Sequence, residues 1–397
     1  MIRRNFIRLA GGGVVVAAVG AGAGVALTSE AYPAEAVEAW RGPGLEADVR
    51  RRALAYAITA PNPHNLQPWL VDLREPDVIT LTTDRQRVLP ETDPFGRQIL
   101  IGHGAFIELL AMALQAQGLQ SRVELWPQGE MPALLNAWDN RAVARIYLTK
   151  SSGSGVAVDS LFKQVLNRRS PKSKFDAARP ITPDVLLALT KDIASPGIKL
   201  GATIDATQLV PLRLLCQQGA KAELLKPGSV LESQRLMRVG PQEILQHRDG
   251  ITLNSRFVRA LNGLGMFDRA TAPAEGSAAY NATITLYADN SNSAAGFVWL
   301  STPGNSHSQQ VEAGRAFVRL QLKATELGLG LHPMSQALQE FAEMKPHYEK
   351  AHQLLLGKPA PQTPSDETLQ MFCRLGYTAG VVPATPRRQL EKFTVTS

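Results

Sequence analysis

Cysteine is scarce in this chain: Cys216 and Cys373 are the only two among 397 residues, and they form no C-x-x-C pair. That spacing excludes a thiolate metal cluster and a dithiol redox motif, and the two residues read as buried thiols, with a disulfide as the alternative in an oxidising compartment. H-E-x-x-H is absent, and no metal site is expected. A nucleophile elbow is absent as well, because Gly304-Asn305-Ser306-His307-Ser308 lacks its closing glycine. Charge of one sign never gathers into a block, although the net charge is +7. A surface that tracks nucleic acid is therefore not expected, while mild basicity suits a small anionic ligand. With 44% hydrophobic and 19% charged residues, the balance is that of a globular protein.

The N-terminus does contain a long uncharged run. Residues 9–27 carry no charge and six glycines, and Arg3-Arg4, Phe6 and Arg8 precede them. A basic segment before an apolar one is the pattern of an export signal, and paired arginines mark its twin-arginine form. Small residues at Ser29 and Ala31 allow cleavage after Ala31. The expectation is delivery to the periplasm or another extracytoplasmic space by the twin-arginine export machinery. An uncleaved chain would stay anchored, but six glycines make the run a poor membrane helix. Arg3, Arg4, Arg8 and Glu30 precede residue 32, so the remainder carries +5.

Residues 32–48 read as a polar leader. A helix is expected over 48–60, ended by Pro61 and Pro63, then strands over 69–73, 78–82 and 142–148, with a long apolar helix over 104–118. Lys150 to Gly155 contains Ser-Ser-Gly-Ser-Gly and reads as a linker. The expected division is a signal over 1–31, a first half over 32–150 and a second half over 151–397. In the second half, helices are expected over 160–169, 182–192, 207–223, 228–238, 240–248 and 310–327, and a strand over 283–288. The halves echo each other: residues 79–84 parallel 284–289, and Gly104 to Gly118-Leu119 parallels Gly314 to Gly328-Leu329. Such an echo points to two related halves packed together. Asp93 and Arg97 read as a helix cap and a local i,i+4 pair.

Two segments carry most of the chemistry. One is Thr59-Ala60-Pro61-Asn62-Pro63-His64-Asn65-Leu66-Gln67-Pro68-Trp69, a rigid turn rich in amides. The other is Asn167-Arg168-Arg169-Ser170-Pro171-Lys172-Ser173-Lys174-Phe175-Asp176, which packs four cations and a hydroxyl together. Together they resemble the two halves of the flavin mononucleotide (FMN) site of the nitroreductase family, in reversed order. Gly328-Leu329-Gly330-Leu331-His332-Pro333-Met334-Ser335-Gln336 resembles that family's segment over the flavin ring, and Arg374-Leu375-Gly376-Tyr377 with Pro386-Arg387-Arg388 its closing strand and phosphate-binding cations. The resemblance covers roughly residues 45–390 and is nearest to the Acg-type subgroup, in which two halves are fused in one chain.

The resemblance implies an α+β, nitroreductase-like fold of two fused halves, each with a small sheet packed by helices, and one composite FMN site. Arg168, Arg169 and Ser170 would meet the phosphate and ribityl chain, and Lys172 would be the catalytic cation at N1/O2, steadying the reduced flavin. One residue is inserted before Phe175, which leaves Lys174 as an alternative to Lys172. Pro61, Asn62, Pro63 and Asn65 would reach the flavin from the first half, as a partner subunit does in nitroreductase dimers. Pro333, Met334, Ser335 and Gln336 would line the ring near N5, with Ser335-Gln336 replacing a more usual acidic residue and glycine. Arg387 and Arg388 would add charge at the phosphate or form a surface pair. His64 and His332 border the implied pocket and, like His103, read as structural. Residues 225–270, with Met237, Met266 and Phe267, would supply a lid or ordinary core.

The implied activity is that of an FMN-dependent oxidoreductase. Reduced nicotinamide, NAD(P)H, would deliver hydride through flavin N5, and a nitro compound, quinone or similar small-molecule acceptor would take it in a ping-pong cycle. The alternative is a non-catalytic protein that binds or sequesters FMN beneath a lid. Fused halves need no second copy, so a monomer is expected.

Overall fold

A computed structural model describes residues 31–150, 157–191, 193, 195 and 197–395. The export signal expected over 1–31 lies, except for Ala31, outside the described residues, as does most of the linker expected over 150–155.

Asp48 accepts a hydrogen bond from Arg50 N at 2.8 Å and so caps the first helix, α1 (Val49–Ala57). Strands β1 (Trp69–Asp72) and β2 (Val78–Thr83) follow, then the long helix α2 (Arg97–Gln115), then β3 (Leu119–Leu125) and β4 (Ala142–Lys150). They make an antiparallel sheet in the order β1-β2-β4-β3.

The second half repeats this connectivity around a large insertion. It holds α3 (Pro183–Thr190) and β5 (Lys199–Thr203); then α4 (Ala206–Leu224), α5 (Pro227–Arg235), β6 (Met237–Val239), α6 (Gly240–His247), β7 (Ile251–Leu253), α7 (Arg256–Gly263) and α8 (Ala278–Asn292) intervene. Next come β8 (Gly296–Thr302), the long helix α9 (His307–Glu326), β9 (Gly330–Pro333), α10 (Lys345–Leu356) and β10 (Thr368–Gly376). The second sheet is antiparallel in the order β5-β8-β10-β9. Each sheet therefore takes two strands, a long helix and two more strands, with the fourth strand placed between the second and third. The fold is α+β, as expected.

The two long helices lie side by side. A Cβ on Gly104 would stand 1.9 Å from the Val311 carbonyl oxygen, and one on Gly314 would stand 2.0 Å from the Ile101 carbonyl oxygen. Only glycine lets the backbones approach so closely. The cores interlock at this seam. Val311, Val318 and Leu322 of α9 belong to the core around the first sheet, and Ile101 of α2 belongs to that of the second. Gly118 and Gly328 take left-handed φ values of 78° and 70° just beyond the two helices and turn each chain into its next strand.

The halves interleave and do not part cleanly at residue 150. Leu161 and Val165 pack in the first core. So do Leu390 and Phe393 from the C-terminal tail, which hydrogen-bonds to β1 through Val71 N to Phe393 O at 2.7 Å and Val395 N to Val71 O at 2.8 Å. The strand expected over 283–288 is helical instead, within α8. Its β-branched threonines turn their hydroxyls onto carbonyls four residues back, Thr283 on Ala279 and Thr285 on Asn281. The long helix expected over 160–169 shortens to a 3-10 turn, Ser160–Gln164, capped by Asp159.

Asp93 caps α2 by accepting from Gln98 N and Ile99 N. Arg97 does not close the expected local pair: it is buried and reaches Glu340 at 2.9 Å.

Candidate flavin site

The turn after α1 is conformationally unusual. His64, Asn65 and Gln67 all have positive φ, at 49°, 53° and 55°, a region sparsely populated by side-chain-bearing residues. Asn62 holds the turn by accepting from Gln67 N at 2.8 Å and donating to Ala60 O at 3.0 Å. Pro61, Asn62, Pro63 and Asn65 are half-buried there. Gly102 of α2 faces Asn62, and the missing side chain lets the turn settle on the helix.

Arg168 reaches this turn from the other segment. It is buried, donates to Thr59 O at 2.9 Å and to Gln321 Oε1 at 3.0 Å, and its Nε has no partner among the described residues. Gln321 also donates to Ser170 Oγ at 3.1 Å, so Ser170 stands beside the same guanidinium. Arg387 arrives from the C-terminal tail, buried, and donates to Ile58 O at 2.9 Å, Thr59 O at 3.1 Å and the Asn65 side chain. Arg169 completes a group around Trp40: the three guanidinium carbons lie 5.5, 4.3 and 5.1 Å from its ring for Arg168, Arg169 and Arg387. None of the three pairs with a carboxylate among the described residues. Burial, with the charge of Arg169, pushes Arg168 down to about 9. Arg387 is lowered by burial and by both other arginines. Unpaired buried charge of one sign is unfavourable unless an anion joins it, so the cluster is suited to a phosphate group.

Lys172 lies further along the segment. Its side chain reaches solvent, yet protein packs around it closely enough for burial to lower its ammonium. It has no hydrogen-bond or ion-pair partner among the described residues, and its charge is felt by His64 and His332. Lys174 is instead bound to Asp289 at 2.8 Å, which leaves Lys172 as the available cation.

The other expected residues divide. Ser335 is buried and turned to β10, donating to Phe372 O and accepting from Phe372 N, each at 3.2 Å. The Met334 side chain is sealed in a core with Phe372 and Leu338, and its backbone N donates to Phe372 O at 2.8 Å. Pro333 ends β9, opposite Cys373. Gln336 donates to Tyr287 Oη at 3.3 Å and keeps a buried, unpartnered Oε1. Near Tyr287 lies Glu223, whose Oε2 has no partner among the described residues and whose carboxyl is raised by burial to about 7. Arg388 does not join the cluster: it bonds Gln67 and Lys392 O and faces Asp84 at 3.9 Å.

The insertion covers the turn. Ser233 Oγ meets His64 Nε2 at 3.0 Å, Gln67 donates to Arg248 O at 2.9 Å, and Gly250 N donates to Asn65 O at 3.2 Å. Asp249 fastens it by bonding Arg87 at 2.6 Å and Arg238 at 2.9 Å. Met237, Met266 and Phe267 form the insertion's own small core with Val239, Val258 and Leu261. Both cysteines are buried free thiols, raised by burial.

Sequence reasoning missed Trp40, Gln321, Glu223 and Tyr287, and gave no role to the carbonyl of Thr59. Each meets its partners across dozens of residues of sequence. Only the isolated Trp40 within a polar leader offered a signal.

No family model matches the chain. Over 92 residues it is 37% identical to a curated protein of Mycobacterium tuberculosis (strain ATCC 25618 / H37Rv) named "Putative NAD(P)H nitroreductase acg"; the match covers 23% of this chain and 28% of that protein. A second, uncharacterised protein of the same strain is 27% identical over 150 residues, 36% of this chain and 41% of that one. Among solved structures, the chain is similar to the FMN and NADPH-dependent nitroreductase NfnB of sphigopyxis sp. strain HMH, at 15% identity and a TM-score of 0.35, over 60% of this chain and 99% of that one. It is also similar to the FMN-dependent nitroreductase NfnB of Mycobacterium smegmatis in complex with NADPH, at 18% identity and a TM-score of 0.32, over 60% and 98%. The matched segments span less than half the length of these two curated relatives.

Proposed function

We propose that this chain is an FMN-dependent oxidoreductase of nitroreductase type, with its two halves arising from a fused internal duplication. The observation that carries the proposal is the group of Arg168, Arg169 and Arg387 around Trp40, which has no carboxylate partner among the described residues. Together with Ser170 it would hold the FMN phosphate. Asn62 and Asn65 would border the ribityl chain and ring from the first half, and Lys172 would face the edge that gains negative charge on reduction. The bound flavin would supply two-electron chemistry at N5, taking hydride from NAD(P)H and passing it to a nitro compound, quinone or similar acceptor. The protein's share is to bind, to orient and to lower the energy of the reduced form. The similarity to a curated nitroreductase over 92 residues supports the same reading.

A second reading is a non-catalytic FMN-binding protein. It is favoured by the insertion, which bonds the flavin-side turn through Ser233, Arg248 and Gly250. Delivery by the twin-arginine route and a monomeric state belong to both readings. Anaerobic mixing of the FMN-loaded protein with NADPH separates them. Bleaching of the flavin absorbance within seconds, followed by reoxidation with a quinone, supports the oxidoreductase. A flavin that stays oxidised for hours supports the sequestering protein.

A further inference from the structure

We infer that His332 is a second hydrogen-bond donor, beside Lys172, to the electron-rich edge of the bound flavin, held in its donating tautomer by Arg374. The inference rests on the FMN reading above and adds a residue to it.

The starting point is Arg374 on β10, which is fully buried. Its guanidinium donates to Asn290 O at 2.9 Å, Ser293 Oγ at 3.2 Å, Ser173 O at 2.7 Å and Pro171 O at 3.4 Å. It stacks on Phe175 at 4.3 Å. Its Nε meets His332 Nδ1 at 3.0 Å. A guanidinium can only donate, so Nδ1 must accept, and the ring proton of neutral His332 is on Nε2. A second proton is opposed by burial and by the charges of Arg374 and Lys172, which together hold the imidazole well below its usual range.

His332 is thus a neutral donor whose orientation is fixed by one arginine. Its Nε2 has no hydrogen-bond partner among the described residues, and the ring is only half-buried. Lys172, whose charge it feels, is likewise unpartnered and open to solvent. Two donors without an acceptor among the described residues, drawn together by the one guanidinium of Arg374, match an electron-rich heteroatom pair. The flavin's N1/O2 edge is such a pair, and its acceptor strength rises on reduction. Arg374 also bonds the carbonyls of Pro171 and Ser173, which flank Lys172. One guanidinium therefore sets both the donor tautomer of His332 and the backbone that carries Lys172.

The test compares the FMN-loaded wild type with His332→Phe and His332→Gln, reading FMN stoichiometry, flavin midpoint potential and the dissociation constant for sulfite, which adds to flavins whose N1/O2 edge is stabilised. A hydrogen bond to a charged group is worth about 1.5–3 kcal/mol, so loss of one donor should weaken sulfite binding about tenfold or more. The expected result is one FMN per chain in all three proteins, with weaker sulfite binding and a more negative potential in His332→Phe, and recovery to within about threefold in His332→Gln, which keeps a donor. Unchanged sulfite affinity and potential in a flavin-loaded His332→Phe would overturn the role. If that variant does not fold, ¹⁵N-histidine spectra of the wild type decide, with the signal assigned by its loss in His332→Gln. A His332 signal that stays in the Nε2–H form from pH 5 to 8 and moves when FMN is added supports the role; one that titrates or ignores FMN overturns it. A wild type that binds no FMN defeats the FMN reading itself, and this inference with it.

Discussion

Gly104 of α2 and Gly314 of α9 are reciprocal: each lies against the carbonyl oxygen of the residue three positions before the other, Val311 and Ile101. Both pairs, Gly104 with Gly314 and Ile101 with Val311, are separated by the same 210 residues. A single seam therefore brings the two sheets into register, and with them the turn over 61–67 and the segment over 168–172.

A methyl group at either glycine has no room. Gly104→Ala and Gly314→Ala should each destabilise the protein by about 1–3 kcal/mol or more, as overpacking of a close helix contact does. Thermal melting of the two variants should show comparable losses. A change below about 0.5 kcal/mol at either position would contradict the close approach.

The uncompensated guanidinium group predicts stabilisation by simple anions. Inorganic phosphate should raise the melting temperature of the flavin-free protein saturably, by mass action on the folded state. The effect should largely vanish in Arg168→Gln and persist in Arg388→Gln, since Arg388 is turned to Asp84. Equal loss in both variants would assign the effect to general surface charge.

Glu223 predicts a pH dependence. Burial raises its carboxyl from the ordinary 4.5 to about 7 in the folded chain. Below pH 4.5 it is neutral in both states and makes no difference. As pH rises from 4.5 to about 7, the unfolded chain gives up this proton more readily, so stability falls, by at most about 3 kcal/mol. Above pH 7 the loss is complete. Glu223→Gln should flatten that part of the curve and be the more stable protein at pH 8; parallel curves from pH 4 to 8 would refute the shift.

Replacing Lys172 with Met should leave FMN bound, make its potential more negative and slow flavin reduction by about tenfold or more, the effect of losing one charged hydrogen bond. Lys174→Met should do neither, because Lys174 is engaged with Asp289. Rapid-mixing traces of the two variants distinguish them, and a larger effect in Lys174→Met would exchange their roles.

The insertion should open when its fastening is cut. Asp249→Asn weakens the bonds to Arg87 and Arg238. Hydrogen exchange across 233–253 should then rise while exchange in α2 and α9 stays slow. Uniform acceleration would show that Asp249 serves global stability.

The legible features of this chain were local. Arg168-x-Ser170-x-Lys172 and the Pro61–Asn65 turn each lie within a few residues, so residue type and spacing expose them. The long helices were legible because the glycine-to-glycine echo recurs with its stops at Gly118 and Gly328. What stayed hidden depends on tertiary contact. Trp40 acquires meaning only when three arginines from distant segments surround it, and Arg387 separates from Arg388 only once the tail folds back on β1. The 283–288 segment misleads because β-branched residues suit a strand, whereas the Ser277 cap and the back-bonded threonines allow a helix.

The central claim is that the arginine group around Trp40 holds the phosphate of a flavin. Titrating flavin-free protein with FMN and with riboflavin, which lacks the phosphate, tests it most directly. The account predicts one FMN per chain, bound at least about a hundredfold more tightly than riboflavin, as two or more charged hydrogen bonds require. Equal affinity for the two, or no binding of either, would contradict it.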